Sequence, residues 1–189
     1  MDVPELHRRA SAEFGRRLHM IGDDQWALPT PCSDWDVTEL VRHLVDENLW
    51  TPPLMEGSTI AEVGGRFEGD MLGDDPKKAY DEAAAPAIEA IHAEGAMERT
   101  VHLSFGDFPG SEYTMQLFAD HLIHAWDLAR AIGADERLDP ELVAACAAWF
   151  EPMEAAYRSA GAIAPAVPVA HDADDQTRLL AAFGRRSGA

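Results

Sequence analysis

An aspartate and a histidine stand four residues apart, Asp120 and His124, in the segment DHLIHAWDLARAIG at 120–133. On a helix, residues i and i+4 are stacked neighbours, so the two side chains converge on one point. A carboxylate and a neutral imidazole are both ligands for zinc or a similar divalent ion. A plain hydrogen-bonded pair, with His124 as a core-edge histidine satisfied by Asp120, uses the same spacing. A third ligand has to come from a facing helix, leaving the remaining positions open to water or substrate. His43, in VTELVRHLVDENLW, lies on the flank of another apolar stripe, with Glu47 one turn further on. His121 points into the apolar arc set by Leu117, Ala125, Leu128 and Ile132. Asp127 and Arg130, three apart, read as a surface ion pair. Trp126 projects opposite that arc, which suits an exposed face or a partner chain. The other histidines read as surface or loop residues.

The elements that must position these residues are helical. Apolar residues at Leu6, Ala10, Phe14, Leu18 and Ile21 predict a helix over 4–22. The Pro- and Asp-rich stretch at 23–36 is a loop. Asp36 followed by Glu39 has the spacing of a capping box and opens a helix over 37–50. The Gly-rich, acidic stretch 51–75 reads as a long connection. A third helix spans 76–94, interrupted or kinked at Pro86. Thr100–Phe105 alternates as a short extended piece. Ser111 is a candidate cap for a fourth helix reaching Ile132, with Gly133 as its terminating residue. Asp139-Pro140 starts a fifth helix over 140–160. An extended segment follows, then a short helix over 175–183. The pattern is all-α: a bundle-like single domain over 1–189 with an additional short helix, long loops and a tail, 163–189, that packs on it.

Composition bounds the function. The 189 residues carry 15 Lys and Arg against 34 Asp and Glu, a net charge of −19. That excess disfavours nucleic acid and anionic membrane surfaces, which select for clustered cations. The two cysteines, Cys32 and Cys146, are far apart, so no disulfide framework is expected and a cytoplasmic protein fits best. Cys146, among alanines, reads as a small buried residue; a nucleophilic role for Cys32 has no histidine near it in sequence. No GxxxxGK[ST], GxGxxG or GxSxG pattern is present, which argues against nucleotide-dependent chemistry and serine hydrolysis.

Three segments together, TPCSDWDVTELVRHLV at 30–45, ADHLIHAWDLARAIG at 119–133 and VPVAHDADDQTRLLAAFGRR at 167–186, resemble the DinB-like superfamily. The branch they resemble is that of the mycothiol-dependent maleylpyruvate isomerase metal-binding domains, in its small single-domain form. The resemblance implies a DinB-like four-helix bundle. It also implies a three-residue metal site of one His from the second helix and an acidic residue and a His four apart from a later one: His43, Asp120 and His124. The family pattern has Glu where this chain has Asp120, one methylene shorter, and His121 is the neighbouring substitute. Also implied are a divalent ion (zinc first, nickel or iron as alternatives) and mycothiol as a thiol cofactor. The expected chemistry is a thiol transferase or isomerase acting on a small substrate at an open three-ligand site. The alternative is a non-catalytic metal-binding bundle, or an interaction module with a vestigial site. Glu47 and Asp127 are the candidate general bases, and a homodimer is the expected assembly.

Overall fold

A computed structural model describes residues 1–32, 34–161 and 163–187. Ser33, Ala162, Gly188 and Ala189 lie outside the described residues, so the loop at 23–36 and the C-terminal segment are followed on either side of them. The chain forms two compact units, Met1–Ala134 and Asp135–Ala189. In the first, α1 (Val3–Leu18), α2 (Val37–Met55), α4 (Pro76–His92) and α5 (Gly110–Ile132) make the bundle. Helix α1 packs most extensively on α5 and α2 on α4, and α1–α4 and α2–α5 contacts close the ring. The core between them holds Phe14, Leu18, Leu40, Leu44, Phe118, Leu122 and Leu128, all fully buried. The molecule is therefore mostly helical, as the periodicity implies.

Local chemistry sets the helix starts. Asp36 accepts from Glu39 N at 2.9 Å and Glu39 reaches back to Asp36 N at 3.1 Å, a complete capping box at the head of α2. Gly133, at φ 70°, takes the left-handed position that ends α5, and no side-chain-bearing residue adopts it as readily. Ser111 is not the cap: α5 begins at Gly110 after Pro109 and has no side-chain cap. Gly110 is forced by close approach, because a Cβ there would lie 2.0 Å from the Ala96 carbonyl oxygen. Its N–H donates to Arg99 O at 2.8 Å, tying the helix to the chain before the hairpin.

Other boundaries differ from the sequence reading for identifiable reasons. Helix α1 ends at Leu18, with Ile21 buried just beyond it. Helix α2 runs on through Pro52 and Pro53 to Met55. A proline removes one donor and does not stop a helix whose far end is buried; here Leu54 and Met55 are. The connection 51–75 has structure of its own: α3 (Ile60–Val63), with a Thr59–Glu62 capping box, and a 3₁₀ turn (Gly64–Phe67). Val63 anchors it in a satellite core with Leu54, Met55, Ile91, Val101 and Tyr113. Thr100–Leu103 (β1) pairs antiparallel with Gly106–Pro109 (β2) as a hairpin.

In the second unit, α6 (Pro140–Phe150) stops before Pro152 and does not reach 160; a separate short α7 (Glu154–Ser159) follows. The last helix is α8 (Asp175–Ala182), with Asp174 as its cap. Phe150 stacks on Phe183 with centroids 4.2 Å apart, and Leu138 N donates to the Gln176 side chain at 2.8 Å. Cys146 is buried, as its alanine-rich setting implies. No helix among the described residues is long and apolar enough to cross a membrane.

Candidate metal centre

Helices α2 and α5 bring His43, Asp120 and His124 together. His43 sits two turns into α2, on the flank of the stripe that buries Leu40 and Leu44. Asp120 and His124 occupy adjacent turns of α5. The Asp120 carboxylate lies between the two imidazoles, with Oδ2 2.9 Å from His43 Nε2 and Oδ1 3.2 Å from His124 Nε2. One donor atom from each residue lies within 4.8 Å of the others. The side chains of His43 and Asp120 keep 26% and 31% of their surface, so the group opens to solvent on one side while His124 closes the other. The Trp35 ring leans over both imidazoles, with centroids 4.8 Å from His43 and 5.6 Å from His124.

The His124 ring is held from behind. Its Nδ1 contacts Asp127 Oδ2 at 2.9 Å, and Cys32 Sγ donates to the same oxygen at 3.5 Å. Asp127 is 0% exposed and therefore no surface ion-pair residue. A carboxylate behind a ligand histidine fixes ring orientation and places the hydrogen on Nδ1, which leaves Nε2 free to offer its lone pair forward. Cys32, a remote loop residue by sequence, joins that support. The signals legible in sequence were Asp127's place on the same helix edge as Asp120 and His124 and Cys32's loop just ahead of α2; nothing in sequence pointed to Trp35.

Electrostatics follow from this bracketing. Burial opposes charge on Asp120, but the facing His124 and His43 outweigh it and hold its carboxyl well below the ordinary range. Burial likewise disfavours the imidazolium of His124, yet Asp120, Asp127 and Cys32 raise its pKa well above 6.5. His43 is raised as well, with Asp120 overcoming desolvation. Burial first, then the Asp120 charge, pushes Glu47 up to about 7.

The other residues singled out in the sequence lie elsewhere. His121 is buried on the core side of α5, its Nδ1 bonded to Leu117 O at 2.9 Å, and it is not among the converging donors. Its ring packs against His7 at 5.1 Å. His7 is also fully buried, so the reading of the remaining histidines as surface residues fails there. Trp126 is 0% exposed and offers no free surface to a partner. Arg130 lies over its ring, 5.6 Å from the centroid.

A helical bundle with its histidine–carboxylate cluster shared between the second and the last bundle helix is a DinB-like architecture. The family model for the mycothiol maleylpyruvate isomerase N-terminal domain matches residues 7–129, and the chain belongs to that family. Two curated proteins of Mycobacterium tuberculosis, one from each of two strains and both called uncharacterized, are 36% identical to it over 146 residues. The match covers 75% of this chain and 74% of theirs. Among solved structures, a histidine-to-alanine mutant of mycothiol-dependent maleylpyruvate isomerase is similar, with a TM-score of 0.59 at 16% identity. That match covers 75% of this chain but 65% of the other, so the chain spans less than two thirds of that enzyme's length, and the likeness shows the fold.

Proposed function

We propose that the chain binds a divalent metal ion through His43, Asp120 and His124 and uses it in thiol-dependent transferase or isomerase chemistry. The observation that carries this reading is the convergence of two imidazole Nε2 atoms and one carboxylate, from two helices, within 4.8 Å. The donor set fits: two neutral nitrogens and one anion suit a borderline divalent cation, zinc first, and three protein ligands leave a position open. The buried Asp127 behind His124 is the support that such ligand histidines use.

When bound, the ion supplies Lewis acidity that favours the thiolate form of a small thiol over the thiol. The chain's own residues do the rest. His43 and His124 give up their protons to become ligands, and Asp120 neutralises part of the cation's charge. Trp35 covers the imidazole face and keeps water from that side. Glu47, whose carboxyl burial and the Asp120 charge push up, stands one turn from His43, where it can hold or release a proton. The family and the similar isomerase structure support mycothiol as the thiol, and a small unsaturated acid as the substrate class.

Two measurements test this. Elemental analysis of the purified protein is expected to give one divalent ion per chain. Mycothiol added to the metal-loaded protein is expected to produce a thiolate–metal ultraviolet band. Bound metal without any change at millimolar thiol would leave a non-catalytic metal-binding bundle; protein that cannot be loaded would remove the reading.

A further inference from the structure

Behind His124 stands a second group of donors, and it holds the one ligand type that the front group lacks. Cys32 Sγ, a carboxylate oxygen of Asp127 and a ring nitrogen of His124 all lie within 4.8 Å of one another. The front group meets the Nε2 edge of the His124 ring, 3.2 Å from Asp120. The rear group meets the opposite edge, where Nδ1 is 2.9 Å from Asp127 Oδ2. Thiolate, carboxylate and imidazole together are a donor set for zinc-sized and softer divalent ions, and the sulfur shifts the preference toward the softer ones.

The rear donors are set in place by the loop before α2. Thr30 Oγ1 accepts from Cys32 N at 3.2 Å and donates to Trp35 O at 2.9 Å. Trp35 N donates to Cys32 O at 2.9 Å and closes the turn. That turn brings the thiol to α5, with Sγ 3.5 Å from Asp127 Oδ2. A tetrahedral ion with bonds of about 2.3 Å to sulfur and about 2.1 Å to nitrogen and oxygen holds sulfur and oxygen about 3.6 Å apart, and nitrogen and oxygen about 3.4 Å apart. The first separation is already met, and the second needs an opening of about 0.5 Å. With one thiolate, one carboxylate and a neutral ring, the group and a divalent ion sum to zero charge, which suits a site closed by the fully buried Asp127. Cys32 is only partly buried and gives the ion its way in.

We propose that Cys32, Asp127 and His124 Nδ1 form a second metal site, one that takes a thiophilic divalent cation. On binding, the Cys32 thiol gives its proton to solvent and sulfur becomes the ligand. Nδ1 gives up the hydrogen it offers Asp127, and with the front group empty the ring keeps its hydrogen on Nε2. Filling the site therefore breaks the His124–Asp127 hydrogen bond and ionises a thiol. An ion that binds sulfur strongly offsets both costs; zinc, which has two imidazoles and a carboxylate ready at the front, does not need to meet them. Without such an ion the rear group remains the support of His124. The site does not depend on the reading given for the front group.

The test titrates cadmium, with no added thiol, into the metal-free full chain and follows the ultraviolet thiolate-to-metal band. Cys32→Ser, Asp127→Asn and His43→Ala are titrated beside it, with circular dichroism on each. A saturable band is expected in the parent and in His43→Ala, none in Cys32→Ser, and one needing about tenfold or more cadmium in Asp127→Asn. Zinc at one equivalent is expected to give no such band in either the parent or His43→Ala. Bound cadmium is also expected to slow alkylation of Cys32 by iodoacetamide about tenfold or more in the parent and in His43→Ala, as read by peptide mass. No thiolate band or no protection at saturating cadmium, a band that persists in Cys32→Ser, or a band lost in His43→Ala would overturn the proposal. Zinc uptake reports on the front group alone, so either reading can fail without the other.

Discussion

At the scale of single residues the central object is the Asp120 carboxylate held between two imidazoles. Removing His43 takes away the one side chain that α2 gives to the proposed metal site, and His43→Ala is expected to abolish metal uptake there with little loss of helicity. Asp127→Asn keeps the shape behind His124 but withdraws the carboxylate that orients it. Losses from such supporting changes run to about 10–100-fold in metal affinity, which a competition titration with a chromophoric chelator resolves. His7 has no bearing on the metal. Both ring nitrogens are buried without a hydrogen bond, and desolvation first, then His121, lowers its pKa well below 6.5. His121 is lowered to about 4, chiefly by burial. Both rings are neutral in the fold, so the unfolded chain binds more protons once pH falls below about 6.5, and stability declines from there toward acid. His7→Leu is expected to raise stability by about 1 kcal/mol and to flatten that acid limb, as read from urea midpoints between pH 7 and 5.

At the scale of elements the fold was readable where periodicity and caps agree. The capping box at Asp36–Glu39 and the terminating Gly133 both stand where the sequence puts them. Asp36→Ala should cost about 1 kcal/mol in a thermal or chemical denaturation. What was not legible depends on tertiary contact. The extension of α2 through Pro52–Pro53 and the structure within 51–75 are set by burial of Leu54, Met55 and Val63, which single-segment patterning does not register. Gly110 is the sharpest instance. Nothing near it in sequence announces that the Ala96 carbonyl approaches so closely that a Cβ has no room. Gly110→Ala forces the backbone to move at the junction of hairpin and α5, and is expected to destabilise by about 2 kcal/mol or more; Gly15→Ala, inside α1 with the nearest atom 3.5 Å away, is expected instead to stabilise by up to about 1 kcal/mol.

At the scale of the whole molecule, the pair of helices that shape the candidate centre were legible because its ligand spacing is a helical spacing. Asp127 shares that spacing on α5, whereas Cys32 and Trp35 gather there through packing of the loop before α2. The histidine protonation equilibria couple this centre to pH. His43 and His124 have raised pKa values in the fold, so their stabilising pairing with Asp120 is fully present below about 6.5 and lost as pH rises through those higher values. A cation competes with the same protons, so metal affinity is expected to rise over that range, and bound metal to restore the stability lost there. The most direct measurement is an isothermal titration of zinc into the metal-free protein beside His43→Ala, with circular dichroism on both. One site per chain in the parent, none in the variant and equal helicity is the expected result. Equal zinc binding by the two proteins would contradict the account.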